Sequence, residues 1–338
     1  MSRMIRFHAF GEASVLHLEE LPTPVPGAGE VLIRTEALGM NWHDVLWRQN
    51  LAPELAQLPA GIGSELAGVV EAIGPDIEDL HLGQRVASFP ACTPNRYPAW
   101  GDFVLMPRRA LTPYPDCLSA VQAAVHYSPY LYAYFGLMNL AHLCPGQWVL
   151  VTEAGHCLGP QVVQMAKALG ARVIGATSEA ESQKFIEYLG ADHIVLTEEQ
   201  DLVSEVLRHT GGQGVQIIMD QCGGPQMKSL GDLAAVRAKL VLYGLNGGND
   251  AAFPACEAFK KHLQFFRHCI LDFTGYPELG IEPQPEAVQQ ALRQINRLTE
   301  EGKLQVPIDR VFSLNDFVEA TRYLELCPSR GRVVMQLN

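Results

Sequence analysis

The stretch VLVTEAGHCLGPQVVQMAKALGARVIGA, Val149 to Ala176, reads as a strand, a tight turn, a helix and a second strand. Pro160 suits the first turn of a helix starting near Leu158, because an N–H at that position has no partner within the helix. Such a helix start offers unpaired N–H groups and the positive end of its dipole to an anion. A dinucleotide turn of the form G-x-G-x-x-G uses glycine for a tight turn, for close approach of backbone to pyrophosphate, and for packing of helix on strand. Here those three positions hold Ala154, His156 and Gly159, so only the packing glycine survives. Two readings follow. In one, Ala154, Gly155, His156, Cys157, Leu158 and Gly159 still seat a phosphate; in the other, the scaffold has kept its shape and binds nothing.

The surroundings favour the first. Downstream of about Val121, helical stretches alternate with wholly apolar strands such as WVLVTE, RVIGAT, HIVLT, VQIIMD and KLVLYG, the pattern of a parallel sheet covered on both faces. Ligands of an open α/β sheet bind at the carboxyl ends of its strands. That rule places Asp220–Gly224, including Cys222, and Gly244–Gly247, including Leu245, beside the cofactor. The second strand ends at Thr177 and Ser178, where an NAD site would carry a carboxylate for the ribose hydroxyls. Hydroxyls there favour NADP(H), with NAD(H) as the alternative because Glu179 and Glu181 follow closely. Lys184 and Arg330 are further sources of positive charge.

Up to about Leu118 the chain carries short alternating apolar runs (MIRFHAF, EVLIRTEAL, ELAGVVEAIG) separated by turn signals, an antiparallel, barrel-like β domain. The final strand GRVVMQL is expected to return to it. The expected division is 1–120 with 275–338 as one domain and 121–274 as the other. A net charge of -12 over 338 residues disfavours nucleic acid and anionic membrane as partners. The charged N-terminus lacks the apolar core of a secretory signal, so a cytoplasmic location is expected. From Cys117 to Thr152 there are 36 residues without Asp, Glu, Lys or Arg. Pro129, Gly136, Asn139, His142, Pro145 and Gly146 interrupt them before about 20 clean apolar residues accumulate, so they read as helices buried between two domains rather than a membrane span. The eight cysteines are widely scattered with no C-x-x-C pair, which points to reduced thiols rather than a disulfide frame or a zinc cluster.

With PVPGAGEVLIRTEALGMNWHDVLWR, GSELAGVVEAIG, LGQRV, PGQWVLV, AKALGARVIG, LGADHIV, TGGQGVQIIMD and RYLE in view, the chain resembles the medium-chain dehydrogenase/reductase superfamily, in its zinc-independent quinone oxidoreductase-like branch. The resemblance runs nearly end to end. It implies an α/β fold with a GroES-like β-barrel catalytic domain, a Rossmann domain and an active site in the cleft between them. Zinc-using members carry Cys and His ligands where this chain has Asn41 in GMN and Ser64 in GSE, so the resemblance implies no metal. Glu65 alone cannot supply the three ligands that catalytic zinc needs. A new metal site from His43, His126, His156 and Cys157 has no spacing to support it.

The implied activity is hydride transfer between NADP(H) and a quinone, activated alkene or carbonyl, on a small-molecule substrate and in a homodimer. By family position Asn41 faces nicotinamide and substrate. Tyr132 stands where relatives have a Thr that contacts the nicotinamide amide, and Leu46 where quinone reductases often have Tyr. His43, Tyr130 and Tyr132 are candidate proton donors by position. Trp47, Trp100 and Phe265 are either walls of the site or plain core. A reading of another class is a non-catalytic dinucleotide-binding sensor or structural protein that retains the fold.

Overall fold

The computed structural model describes residues 1–52, 54–326 and 331–337. Cys327 and Arg330, both named above, lie outside them. The chain forms two compact units, one of Met1–Ser128, Leu271–Glu300 and Gln305–Asn338, the other of Pro129–Ile270 with Glu301–Leu304.

In the first unit, β1 (Ser2–Phe7) pairs antiparallel with β2 (Leu16–Leu21) and β4 (Ala60–Gly61). A seven-stranded sheet is organised around the long strand β3 (Glu30–Met40), which pairs with β5 (Glu65–Ile73) and β7 (Phe103–Pro107). β6 (Arg85–Ser88) and β8 (Leu111–Pro113) extend the β5 side of this sheet. Inward-facing residues of these strands, among them Ile5, Phe7, Val31, Ile33, Leu38, Leu66 and Val104, form one fully buried cluster with Trp47 and Trp100. Alternation of buried and exposed positions is what selects strands here, since only one face of each reaches the core. The last two strands of the chain, β15 (Ile308–Ser313) and β16 (Arg332–Gln336), join the same sheet. β16 runs antiparallel to β3 with Val333 opposite Met40, so the next pair along brings Arg332 to Asn41.

The second unit holds six parallel strands in the order β11-β10-β9-β12-β13-β14. They are β9 (Trp148–Val151), β10 (Arg172–Thr177), β11 (His193–Leu196), β12 (Val215–Asp220), β13 (Ala234–Leu242) and β14 (Gln264–Arg267). All four residues of β9 are buried, as expected for a central strand covered on both faces. The helix Gly159–Ala168 carries Pro160 in its first turn and stops before Gly170, whose φ of 86° suits glycine.

The uncharged stretch forms short helices, Ala120–Ala123 and Tyr127–Tyr134, then a π-helical turn Phe135–Leu140 and β9. Val125, Tyr130, Leu131 and Phe135 within it are fully buried. No helix among the described residues is long and apolar enough to cross a membrane.

Candidate active site

The turn between β9 and its helix is held by side chains at the end of β12. Gln221, at the end of β12, donates through Nε2 to the carbonyl oxygens of Glu153 (2.7 Å) and His156 (3.1 Å). Asp220 accepts from the Thr152 hydroxyl (2.7 Å) and from the amides of Cys222 and Gly223 (3.0 and 3.1 Å), which locks the ends of β9 and β12 together. The sequence places Gln221 within the Asp220–Gly224 stretch at the carboxyl end of β12, but not its role as the carboxamide that clasps the turn. The turn also uses left-handed backbone at Glu153 (φ 46°) and Cys157 (φ 50°), conformations that non-glycine residues adopt at a cost.

Gly159 packs tightly against the turn. A Cβ there would lie 2.4 Å from the Glu153 oxygen and 2.9 Å from the Ala154 Cα. Gly155 is equally confined, since a Cβ would come within 2.7 Å of the Ser182 Cβ. The backbone N–H groups of Gly155 and Leu158 find no acceptor among the described residues. Two free amides at a helix start, with no side chain crowding Gly155 from its own residue, fit a pyrophosphate.

The far end of the turn is acidic. His156 Nε2 lies 3.0 Å from Glu179 Oε2, within ion-pair range but outside hydrogen-bond geometry. Burial raises the pKa of Glu153, while His156 and Ser178 pull it back and Glu179 pushes it further up. Thr177 is fully buried and its hydroxyl receives the Glu179 amide at 3.2 Å, so of the two hydroxyls expected to meet a ribose only Ser178 is exposed. The backbone supplies the reason: Thr177 is the last inward-facing residue of β10. Lys184 is exposed on the following helix. Beside the turn, Cys222 is buried, Leu245 is exposed, and a Cβ on Gly244 would lie 2.5 Å from the Gln221 oxygen. Asn246 Nδ2 lies 3.8 Å from Cys157 Sγ, tying the loop after β13 to the turn.

Two tyrosines belong to this unit. Tyr130 is fully buried, and its hydroxyl donates to Gln164 of the helix Gly159–Ala168 at 3.2 Å. Tyr132 is half-buried; its carbonyl accepts from His268 Nε2 at 2.9 Å and the two rings meet edge to face. The structure therefore does not bring the hydroxyl of Tyr130 to an open surface, where a proton donor must stand.

Asn41 sits in a buried network of the first unit. Its backbone N–H donates to Asp44 Oδ2 at 2.8 Å. Its Oδ1 accepts from Arg332 Nη2 at 2.6 Å, and the same nitrogen donates to Glu65 Oε2 at 2.7 Å. A guanidinium can only donate, so the atom facing it must be the carboxamide oxygen, which leaves Nδ2–H as the group Asn41 can offer elsewhere. Glu65 is 1% exposed and Asp44 2%. Burial raises the Asp44 carboxyl to about 8, and the charge of Glu65 works in the same direction. Arg332 escaped the sequence reading; a lone cation entering an apolar terminal strand was its only sign.

His43 is exposed at the surface but crowded by protein elsewhere, and the crowding holds its pKa below the ordinary histidine value against the pull of Glu54. Its ring stacks on Trp47 with centroids 6.3 Å apart. Trp47 and Trp100 are core, 1% and 0% exposed, whereas Phe265 is half-buried. His126 is wholly enclosed, bonded to the Thr299 hydroxyl at 2.8 Å, with its pKa pushed down to about 3. No group of three or more His, Cys, Asp or Glu among the described residues is placed to hold a metal ion. The seven described cysteines are free thiols.

Two family models match the chain: an alcohol dehydrogenase GroES-like domain over residues 27–116 and a zinc-binding dehydrogenase over 157–282. A mycobacterial quinone oxidoreductase superposes with a TM-score of 0.88 at 27% identity, covering 99% of this chain and 100% of that one. An Escherichia coli quinone oxidoreductase in complex with NADPH superposes with a TM-score of 0.83 at 25% identity, again over 99% and 100% of the two chains. A phenolphthiocerol/phthiocerol polyketide synthase of Mycobacterium tuberculosis is 27% identical over 97% of this chain, which spans only 14% of the length of that relative. With both domain models, both sheets and both structural matches in agreement, the chain belongs to the medium-chain dehydrogenase/reductase superfamily, in its quinone oxidoreductase-like branch.

Proposed function

We propose that the protein is a zinc-independent, NADPH-dependent oxidoreductase that reduces a quinone, an activated alkene or a carbonyl. The observation that carries this reading is the turn Thr152–Gly159: free amides at Gly155 and Leu158, clasped by Gln221, with Gly159 keeping the helix close to its strand. The solved E. coli relative, complexed with NADPH, supports that nucleotide.

The nicotinamide supplies a hydride when bound; the protein's part is to bind, orient and neutralise charge. Gly155 and Leu158 would hold the pyrophosphate. Ser178 would meet the adenosine ribose, with His156 Nε2 lying 3.0 Å from Glu179 beside it. Asn41, its oxygen occupied by Arg332, would donate from Nδ2 to the nicotinamide or to a substrate oxygen, where negative charge develops as hydride arrives. His43 and Tyr132 remain the candidates for moving a proton, and a reduced quinone can also take its protons from water. Zinc independence rests on residue chemistry: Asn41 and Ser64 stand where zinc-using members carry ligands, and the carboxylate of Glu65 is engaged by the Arg332 guanidinium.

The test is parallel titration with NADPH and NADH followed by turnover of a benzoquinone. Tighter NADPH binding with turnover is expected, and turnover should fall at least about tenfold in Asn41→Ala. Absence of nucleotide affinity would overturn the reading, and nucleotide binding without turnover of any electrophile would favour the non-catalytic one. Stoichiometric zinc that leaves together with activity on chelation would overturn zinc independence alone.

A further inference from the structure

A cavity of about 610 Å³ lies in the second unit at the amino ends of β9, β12, β13 and β14. The dinucleotide turn follows the carboxyl end of β9, so the cavity occupies the opposite edge of the sheet, roughly 15 Å away along strands rising about 3.3 Å per residue. Its polar lining is Gln147, Gln216, Arg237, Lys239, His262 and Gln264, with no carboxylate, in a chain whose net charge is -12.

The backbone makes this space by breaking the ladder. Val215 faces Ala234 and Ile217 faces Lys239, so Gln216 stands opposite four residues of β13, Ala235 to Ala238. Arg237, inside that bulge, has φ 61°, and His262, ending the helix Ala255–Lys261, has φ 52°. Left-handed backbone at residues with a Cβ costs free energy, and such outliers gather where function requires a particular placement. Two of them line this one cavity.

The hydrogen-bond inventory leaves donors and few acceptors. Gln216 Oε1 accepts from the Trp148 amide (2.8 Å) and Gln147 Oε1 from the Cys144 amide (2.9 Å), so each carboxamide oxygen is engaged while its Nε2–H groups are unspent. Lys239 Nζ donates to the Ala141 carbonyl at 2.6 Å and keeps two further protons. Arg237, His262 and Gln264 make no side-chain hydrogen bond or ion pair among the described residues.

We propose that this cavity is a binding site for a small polyanion, a phosphate ester or a polycarboxylate, held by Arg237 and Lys239 with His262 and the glutamine amides completing the donor set. Charge-assisted donors converging on a space free of carboxylates recognise such a ligand and reject cations. The site stands apart from the dinucleotide turn and does not depend on what that turn binds.

Calorimetric titration with inorganic pyrophosphate and, separately, with citrate tests it on the parent protein, on Arg237→Gly and on Arg293→Gln. Glycine suits the left-handed φ at position 237, so Arg237→Gly is expected to fold at least as well as the parent. Arg293, exposed on the helix Pro285–Glu300 of the other unit, controls for the change in net charge. One binding event should weaken about tenfold in Arg237→Gly and stay unchanged in Arg293→Gln. The probe that binds more tightly assigns the ligand as phosphate or carboxylate. Equal isotherms in Arg237→Gly and parent would place the anion elsewhere. Equal losses in both variants would reduce the effect to net charge. Silence from both probes up to about 10 mM would leave no site of useful affinity. Each of these three results overturns the proposal.

Discussion

Two groups of charges carry the candidate chemistry, and they differ in one respect: access to water. Around Asn41, the carboxylates Glu65 and Asp44 are buried, and one guanidinium, Arg332, serves both Glu65 and the Asn41 oxygen. Around His156, the side chain of Glu179 is 47% exposed and Glu153 only partly enclosed, with the imidazole close to Glu179 but not hydrogen-bonded to it. The composition is nearly the same, two carboxyl groups and one basic side chain. Burial makes the first a rigid fixture whose loss is costly, whereas solvent leaves the second adjustable, suited to tuning a nucleotide preference.

The contrast breaks most visibly at Arg332. Arg332→Met should destabilise the protein by about 3–5 kcal/mol, because Glu65 would be left buried and unpaired. Adding Glu65→Gln to it should recover a good part of that loss. Urea midpoints of the single and double variants measure both. A loss under about 1 kcal/mol would show that water reaches Glu65 and that the two groups do not differ in kind.

At the turn the largest effect is steric. Gly159→Ala forces a methyl to 2.4 Å from the Glu153 oxygen, so either the helix or the turn must shift. We expect about 1–3 kcal/mol of destabilisation and a loss of NADPH affinity beyond tenfold. Unchanged affinity in a fluorescence titration would mean that the turn is not the phosphate seat.

Asp44 gives the buried network a pH signature. Its carboxyl is raised to about 8 by burial, while in the unfolded chain an aspartate ionises near pH 4. Below about pH 4 both states are protonated and nothing is lost. As pH rises from there toward 8 the unfolded chain ionises first, so stability falls, by at most about 1.4 kcal/mol per pH unit. Asp44→Asn should flatten the stability profile between about pH 5 and 8, and identical slopes for variant and parent would show that Asp44 ionises freely.

The smallest effect belongs to the exposed cluster. Glu179→Gln should tighten NADPH binding roughly two- to fivefold and leave NADH unchanged or weaker, since screening limits what a half-exposed charge contributes. His156→Gly removes the ring beside Glu179 and should shift the NADPH-to-NADH preference by a similarly small factor. Comparison of dissociation constants for both nucleotides decides it, and a uniform change across nucleotides would remove this cluster from the choice of cofactor.

Much of this was legible in the chain alone. β9, its helix and β10 follow from a doubly covered apolar run, a proline at a helix start and one packing glycine, all local properties. The return of the last strand to the first unit was expected of the chain, and β16 pairs with β3 there. That Asn41 and Ser64 stand where zinc-using relatives carry Cys and His was readable through the resemblance, because residue type is a property of the chain alone. Arg332, Gln221 and the burial of Thr177 were not readable in that way. Arg332 reaches Asn41 across 291 residues through a strand register, Gln221 supports a turn 65 to 68 residues away, and Thr177 turns inward because of where its strand ends. Sequence by itself determined which segments are strands and helices, which residue types stand at the ligand and phosphate positions, and the overall charge, since propensity, period and side-chain chemistry act over a few residues. Tertiary structure alone decided which charges lose their water, which carboxamide oxygen is already occupied and which donors are left unspent, because solvation and hydrogen-bond pairing depend on what the fold brings alongside.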